Sequence, residues 1–227
     1  MCGRYTLFSS LETIVDRFSV AENGVHILTK NYNAHPGQSV LTILKNNKNI
    51  STKMMKWGFE RNWTGNNGNY KTIHNSRVET LLTKPTFRSL VKKQRCLIPS
   101  NGFYEWKKSE AGNTPFFIHT PQNSLFAFAG IWTSEIEASG STKNSFSVIT
   151  KPANSKLSSI HHRMPVIIGK EIETDWLSEK TYPADLIDHL LKESHEPDVF
   201  YVDSVSNYVN STRHSGKECI ALRPRLL

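Results

Sequence analysis

The sequence predicts an α+β fold: a single β-rich domain with a curled, mostly antiparallel sheet or barrel and flanking helices. Three observations carry this. Short apolar and aromatic runs, each ended by turn-forming residues, succeed one another from Cys96 onward. Helical periodicity shows clearly in only two stretches, one near each end. No internal repeat and no Gly/Ser/Pro-rich linker divides the 227 residues, so one domain over 1–227 is expected.

The first helix is announced by Ser9-Ser10-Leu11-Glu12, which reads as a capping box, and Leu11, Ile14, Val15 and Phe18 recur behind it at helical spacing. Residues 39–44 and 53–59 read as short strands around the turn-forming Asn46-Asn47-Lys48-Asn49. Between Arg61 and Tyr70 the chain is polar and rich in Gly and Asn, which predicts an exposed loop carrying Trp63 and Tyr70. Strands follow at Cys96–Ile98, Phe103–Trp106, Pro115–Ile118, Leu125–Trp132 and Ser145–Thr150, with a long polar loop over 134–144. The second helix, Pro183–Lys192, sets Leu186, Ile187, Leu190 and Leu191 on one face, and Val199–Val202 adds a strand.

Composition narrows the class of protein. A hydrophobic fraction of 37% with five Trp, seven Tyr and eleven Phe is too apolar for disorder, while the mean hydropathy of −0.44 is that of a soluble chain. No apolar run reaches the roughly 20 residues of a membrane span, and the start MCGRYTLF carries no signal-peptide core, so a cytoplasmic protein is expected. Cys2, Cys96 and Cys219 are odd in number and widely separated, which suggests neither a disulfide framework nor a zinc knuckle. No cofactor is called for. The net charge of +8 suits a polyanionic partner, though a solvated surface accounts for it equally well.

Position 2 holds the most informative residue. A small side chain after Met1 permits methionine removal, which would leave Cys2 with a free α-amine and a thiol, of ordinary pKa about 7.7–8.0 and about 8.5. Such a pair condenses with an aldehyde to an imine that the thiol closes into a thiazolidine. Gly3 lets the backbone approach a ligand, and Arg4 sets a phosphate-matching fork beside the nucleophile. Glu105 sits on a strand of large aromatics, where desolvation would raise its pKa into the range useful for acid–base catalysis. His161-His162-Arg163-Met164-Pro165 is a polar loop before an apolar strand; one of its histidines suits a general acid or oxyanion partner better than a metal ligand, because no second ligand pair accompanies it. His74-Asn75-Ser76-Arg77-Val78-Glu79-Thr80 offers an amide, a hydroxyl and a guanidinium for phosphate recognition, or else a helix N-terminus capped by Asn75 or Ser76.

Together these windows resemble the SRAP family, the SOS response-associated peptidases. The resemblance runs through Met1–Tyr5, Asn31–Asn33 before Pro36, Trp57–Phe59, Asn75–Thr80, Arg95–Pro99, Gly102–Trp106, Phe128–Trp132, His161–Val166, Val205-Ser206 and Val209-Asn210. It implies a protein that binds abasic sites in single-stranded DNA, acting as a monomer, and forms a thiazolidine crosslink through Cys2. On this likeness Asn75 orients the amine, Glu105 is the acid–base that opens the sugar ring, and His161 assists formation or reversal. Arg4, Asn33, Trp63, Arg77 and Arg163 would contact DNA, and an AP lyase activity would accompany the imine. The chain departs from the family's pattern at His35, and at Glu60-Arg61-Asn62 before Trp63, which adds charge beside the loop that would wedge a duplex end. Two other readings stay open: a cysteine peptidase using Cys2, His161 and Asn75, and a non-covalent single-strand binding module.

Overall fold

A computed structural model describes residues 2–46, 49–62, 70–110, 112–192 and 200–224. In chain order the elements begin with β1 (Arg4–Leu7), α1 (Leu11–Arg17), β2 (Glu22–Asn23), β3 (Asn31–Ala34), β4 (Ser39–Asn46) and β5 (Asn49–Trp57). Next come β6 (Phe59–Asn62), β7 (Tyr70–Ile73), β8 (Asn75–Arg77), α2 (Pro85–Arg88), α3 (Leu90–Lys93), β9 (Arg95–Ser100), β10 (Gly102–Ser109) and β11 (Gly112–His119). The chain ends with β12 (Phe126–Ile136), β13 (Thr142–Pro152), β14 (Arg163–Pro165), β15 (Ile167–Ile168), α4 (Glu173–Leu177), α5 (Pro183–Lys192) and β16 (Tyr201–Ser204).

Five strands close a barrel. β13, β12, β9, β4 and β5 pair in succession, and β5 returns to β13 in parallel through Ser145↔Lys56 and Phe146↔Trp57. β8 and β14 are added along β13, the first parallel and the second antiparallel. A separate sheet, in the order β16-β11-β10-β1-β3, carries the N-terminal strand at its interior. Asn101 turns the chain from barrel to sheet. Its side chain, 2% exposed, accepts from the Phe8 and Ser9 backbone N–H groups at 2.8 and 3.2 Å and donates to Ser9 Oγ and the Asn123 carbonyl.

Aromatic side chains weld the two layers. Tyr5 from β1 meets Trp57 and Phe128 edge-on, with ring centroids 5.5 and 5.8 Å apart, and all three are buried. Truncating a buried aromatic of this kind costs about 3–5 kcal/mol, so these contacts fix where β1 lies, and with it Cys2. Gly58 separates β5 from β6 at a φ of +108°, and a Cβ there would lie 2.5 Å from the His74 ring, so the turn requires glycine.

Several boundaries differ from the sequence reading. Ser10, not Ser9, caps α1 by accepting from Thr13 N, because Asn101 holds the Ser9 hydroxyl. The expected loop from Arg61 to Tyr70 is strand at both described ends, since Asn62 pairs with Tyr70 across β6 and β7. Trp63 lies outside the described residues. The polar stretch 134–144 is mostly strand: β12 and β13 stay in register out to Ile136↔Thr142, and the turn is confined to 137–141. Leu191 is 44% exposed, whereas Leu186, Ile187 and Leu190 are buried. Asn75 and Ser76 cap no helix; they belong to β8. Of the strand expected at 199–202, Val199 is outside the described residues, and β16 runs over Tyr201–Ser204.

Candidate active site

Cys2 is positioned by strand register. β1 pairs antiparallel with β10 through Tyr5↔Phe103 and Arg4↔Tyr104, so the chain preceding Arg4 runs toward Glu105. Burial, followed by the charge of Glu105, pushes the Cys2 thiol well above its ordinary pKa. The side chain is fully buried. The expected unprotonated thiol fraction near neutral pH is therefore corrected: the enclosed sulfur is held as a thiol.

Glu105 behaves as its aromatic strand predicts. It is 5% exposed, and burial raises its carboxyl from 4.5 to about 7. An acid at that value exchanges protons readily at neutral pH.

Asn75 reaches the same corner from the barrel. β8 runs parallel to β13 with Val148↔Asn75 and Thr150↔Arg77 in register, and Asn75 Nδ2 donates to the Cys2 carbonyl at 2.9 Å. Its Oδ1 is buried and accepts no hydrogen bond among the described residues. The amide thus holds the Cys2 backbone with one end and keeps an acceptor at the other.

His161 comes from the turn before β14, on the other flank of β13. Its Nδ1 lies between the Arg163 backbone N–H at 3.0 Å and the Arg163 carbonyl at 3.1 Å, and its ring stacks on His162 with centroids 4.4 Å apart. Burial lowers its pKa below the ordinary imidazole value. Among the described residues no group of three His, Cys, Asp or Glu could hold a metal.

The predicted DNA-contacting residues divide. Arg77 is exposed at the end of β8. Arg163 is buried, and its fork is already engaged: it donates to both oxygens of Glu79, at 2.5 and 3.0 Å, and to the Thr150 carbonyl at 2.6 Å. Asn33 is 1% exposed and donates to the carbonyls of Val209, Ser211 and His214, while accepting from Arg4. In this geometry its amide supports the C-terminal segment rather than facing solvent. Arg4 also donates to the Val209 carbonyl and sits over the Trp106 ring at 5.9 Å. Glu60, one of the unusual charges near Trp63, is paired with Lys143 and Lys56 at 3.4 and 3.7 Å.

An open cavity of about 360 Å³ adjoins this corner, lined by Gly3, Arg4, Trp106, Asn113 and Asn210. A hollow of about 680 Å³ beside Arg17, Phe126 and Lys170 contains none of the predicted site residues. Trp106, Thr150 and Glu79 escaped sequence reading as site components. Trp106 was visible only as one aromatic among several, and nothing local to Glu79 reveals its partner.

A family model described as SOS response associated peptidase (SRAP) matches residues 1–212. The chain is 35% identical over 226 residues to the abasic site processing protein YoqW of Bacillus subtilis (strain 168), covering 97% of this chain and 99% of that one. It is 31% identical over 191 residues to the abasic site processing protein HMCES of Gallus gallus, covering 73% of this chain and 56% of that one. A crystal structure of a protein from Bacteroides thetaiotaomicron shares the fold, with a TM-score of 0.82 at 21% identity over 98% of this chain and 100% of that one.

Proposed function

The chain belongs to the SOS response-associated peptidase family, and from that premise we propose that it processes abasic sites in DNA by capturing them covalently through Cys2. The observation that carries the reading is the pairing, at one corner, of the Asn75 amide on the Cys2 carbonyl at 2.9 Å with an acid, Glu105, raised to about 7.

The chemistry follows from these groups. After Met1 is removed, the new α-amine of Cys2 would donate to the open Oδ1 of Asn75 and keep its lone pair for the aldehyde. Glu105 exchanges the protons that open the closed sugar. The amine adds to the aldehyde carbon, water leaves, and an imine forms. The thiol then adds to the imine carbon while its proton passes to nitrogen, which closes a thiazolidine without a free thiolate having to persist. A buried, protonated thiol suits this order of events, and it speaks against acyl transfer, where a thiolate must attack first. If the thiol is missing, the imine acidifies the adjacent sugar carbon, and elimination of the 3′ phosphate nicks the strand. Arg77 is the exposed fork for the phosphates, and single-stranded DNA is the substrate form that leaves the lesion accessible.

Cys2→Ala tests the reading. Given a single-stranded oligonucleotide with one abasic site, the variant should lose the heat-stable crosslink seen for the wild type by intact mass, yet nick the strand weakly through an intermediate that borohydride traps. A wild-type protein that forms no adduct, or a folded variant lacking Met1 that shows neither nicking nor trapping, would sink the proposal.

A further inference from the structure

We propose that Lys84, Arg88 and Lys92 form a second DNA-binding surface, which holds the phosphate backbone of the strand beyond the lesion. The inference deepens the proposed function, since it rests on DNA being the substrate, and it begins from a charge imbalance in the sequence. From Thr80 to Tyr104 the chain carries the cations Lys84, Arg88, Lys92, Lys93 and Arg95 and no Asp or Glu.

The fold sorts these cations. Ser89 joins α2 to α3 in helical conformation, at φ −73° and ψ −41°, and Phe87, Leu90 and Val91 are buried against the barrel side. Arg95 is buried too and braces the platform from below, donating to the carbonyl of Val91 in α3 and to that of Trp176, both at 2.5 Å. The other four are exposed, and their side chains make no hydrogen bond or ion pair among the described residues. Arg88 and Lys92 stand one helical turn apart on one flank, with Lys84 a turn earlier, whereas Lys93 falls on the other flank.

Local stability gives no reason for this row. Like charges four positions apart on a helix repel one another. Lys84 occupies the N-cap place and makes no capping bond, where Ser, Thr, Asp or Asn would make one. The nearest acid before it in sequence, Glu79, is already engaged by both arms of the Arg163 fork. Cations that weaken their own helix and have no partner within the fold match a partner that carries a row of anions.

The place of the row names that partner. The Lys84 backbone N–H donates to the Thr80 carbonyl at 3.0 Å, in the turn that follows β8, the strand that carries Asn75 and Arg77. The row therefore begins directly beyond the corner where Asn75 holds the Cys2 carbonyl. A strand captured at Cys2 and passing the exposed Arg77 continues along Lys84, Arg88 and Lys92.

The test uses the full chain with Lys84→Gln, Arg88→Gln and Lys92→Gln combined. Anisotropy with a long undamaged single-stranded oligonucleotide reads binding without any crosslink. Three lost phosphate contacts at about 0.7 each should make the slope of log affinity against log salt shallower by about 2. Arg88→Gln alone should shift it by about 0.7 in the same direction, which keeps the test open if the triple variant folds poorly, and Lys93→Gln should leave it unchanged. With abasic oligonucleotides, the triple variant should need more DNA for half-maximal crosslinking than the wild type when the strand is long and the same amount when it is short, at an equal rate once saturated. Equal salt slopes for the triple variant and the wild type overturn the proposal, and so does a Lys93→Gln shift as large as that of Arg88→Gln, since net charge alone would then explain both. A wild type that binds the long strand through the row yet forms no crosslink would sink covalent capture and leave the row standing.

Discussion

Glu105 and Glu79 occupy two regions of one site and are driven in opposite directions. Glu105 lies on β10 between Tyr104 and Trp106 and opposite Phe116 of β11, where burial raises it to about 7. Glu79 lies on the turn after β8, partly open to water, and the Arg163 guanidinium holds it low. Burial makes a carboxyl into a proton carrier, whereas pairing with a fork makes it into a strut. The difference teaches that carboxyls at one site are sorted into chemical and mechanical roles by their neighbours.

The largest expected effect breaks the comparison on the chemical side. Glu105→Gln removes a group that exchanges protons near neutral pH, and losing a positioned acid–base typically slows a reaction by 10²–10⁴-fold. Single-turnover crosslinking should show that loss, with binding to undamaged single strands nearly unchanged. If binding falls in step with the rate, Glu105 is structural and the contrast with Glu79 disappears.

Stability against pH sharpens the same contrast. Between 4.5 and about 7 folded Glu105 holds a proton that the unfolded chain releases, so its contribution falls as pH rises through that window. The shift amounts to a loss on the order of 3 kcal/mol by neutral pH. Glu79 has the opposite sign: its stabilisation is present above its ordinary pKa and disappears as pH falls through the lowered one. Urea midpoints should therefore show Glu105→Gln gaining on the wild type from pH 4.5 to 7. Glu79→Gln should trail the wild type at neutral pH and approach it in acid. Parallel curves for Glu105→Gln would mean that the carboxyl is not enclosed.

A smaller effect is expected where polar groups only brace the corner. Asn33→Ala leaves the carbonyls of Val209, Ser211 and His214 without its amide and frees one end of Arg4. Unmade buried hydrogen bonds cost about 1–3 kcal/mol, so the melting temperature should fall and hydrogen exchange near Val209 should quicken. An unchanged melting temperature would show that these bonds do not brace the corner.

How much of this was legible in the sequence depends on how local each cause is. Glu105 could be read as the one acid in an aromatic run, although Tyr104 and Trp106 point to the opposite face of β10 and its burial is supplied by the fold, and the central strands could be read because apolar runs mark barrel and sheet interiors. The cap of α1 was misplaced by one residue because Asn101, distant in sequence, takes the Ser9 hydroxyl. Residues 134–136 and 142–144 looked like loop because polar residues dominate them, although the β12–β13 ladder continues through them. The Arg163–Glu79 pair could not be read because the two residues are 84 positions apart and meet only through the strands that flank β13.

The least disruptive change completes the comparison by removing charge without touching either carboxyl's fold. Arg77 is exposed, follows Asn75 on β8, and makes no side-chain hydrogen bond or ion pair among the described contacts, unlike Arg163 in the same neighbourhood. Exposed side chains without such partners usually change stability by no more than about 0.5 kcal/mol when replaced, so Arg77→Ala should melt like the wild type. Its effect should appear in binding. Each phosphate neutralised on single-stranded DNA contributes about 0.7 to the slope of log affinity against log salt, and the variant's slope should be shallower by that amount. The affinity deficit should therefore be largest in dilute buffer and narrow as salt rises, while the rate of crosslinking at saturating DNA stays constant. Identical salt slopes for variant and wild type would remove Arg77 from the phosphate path.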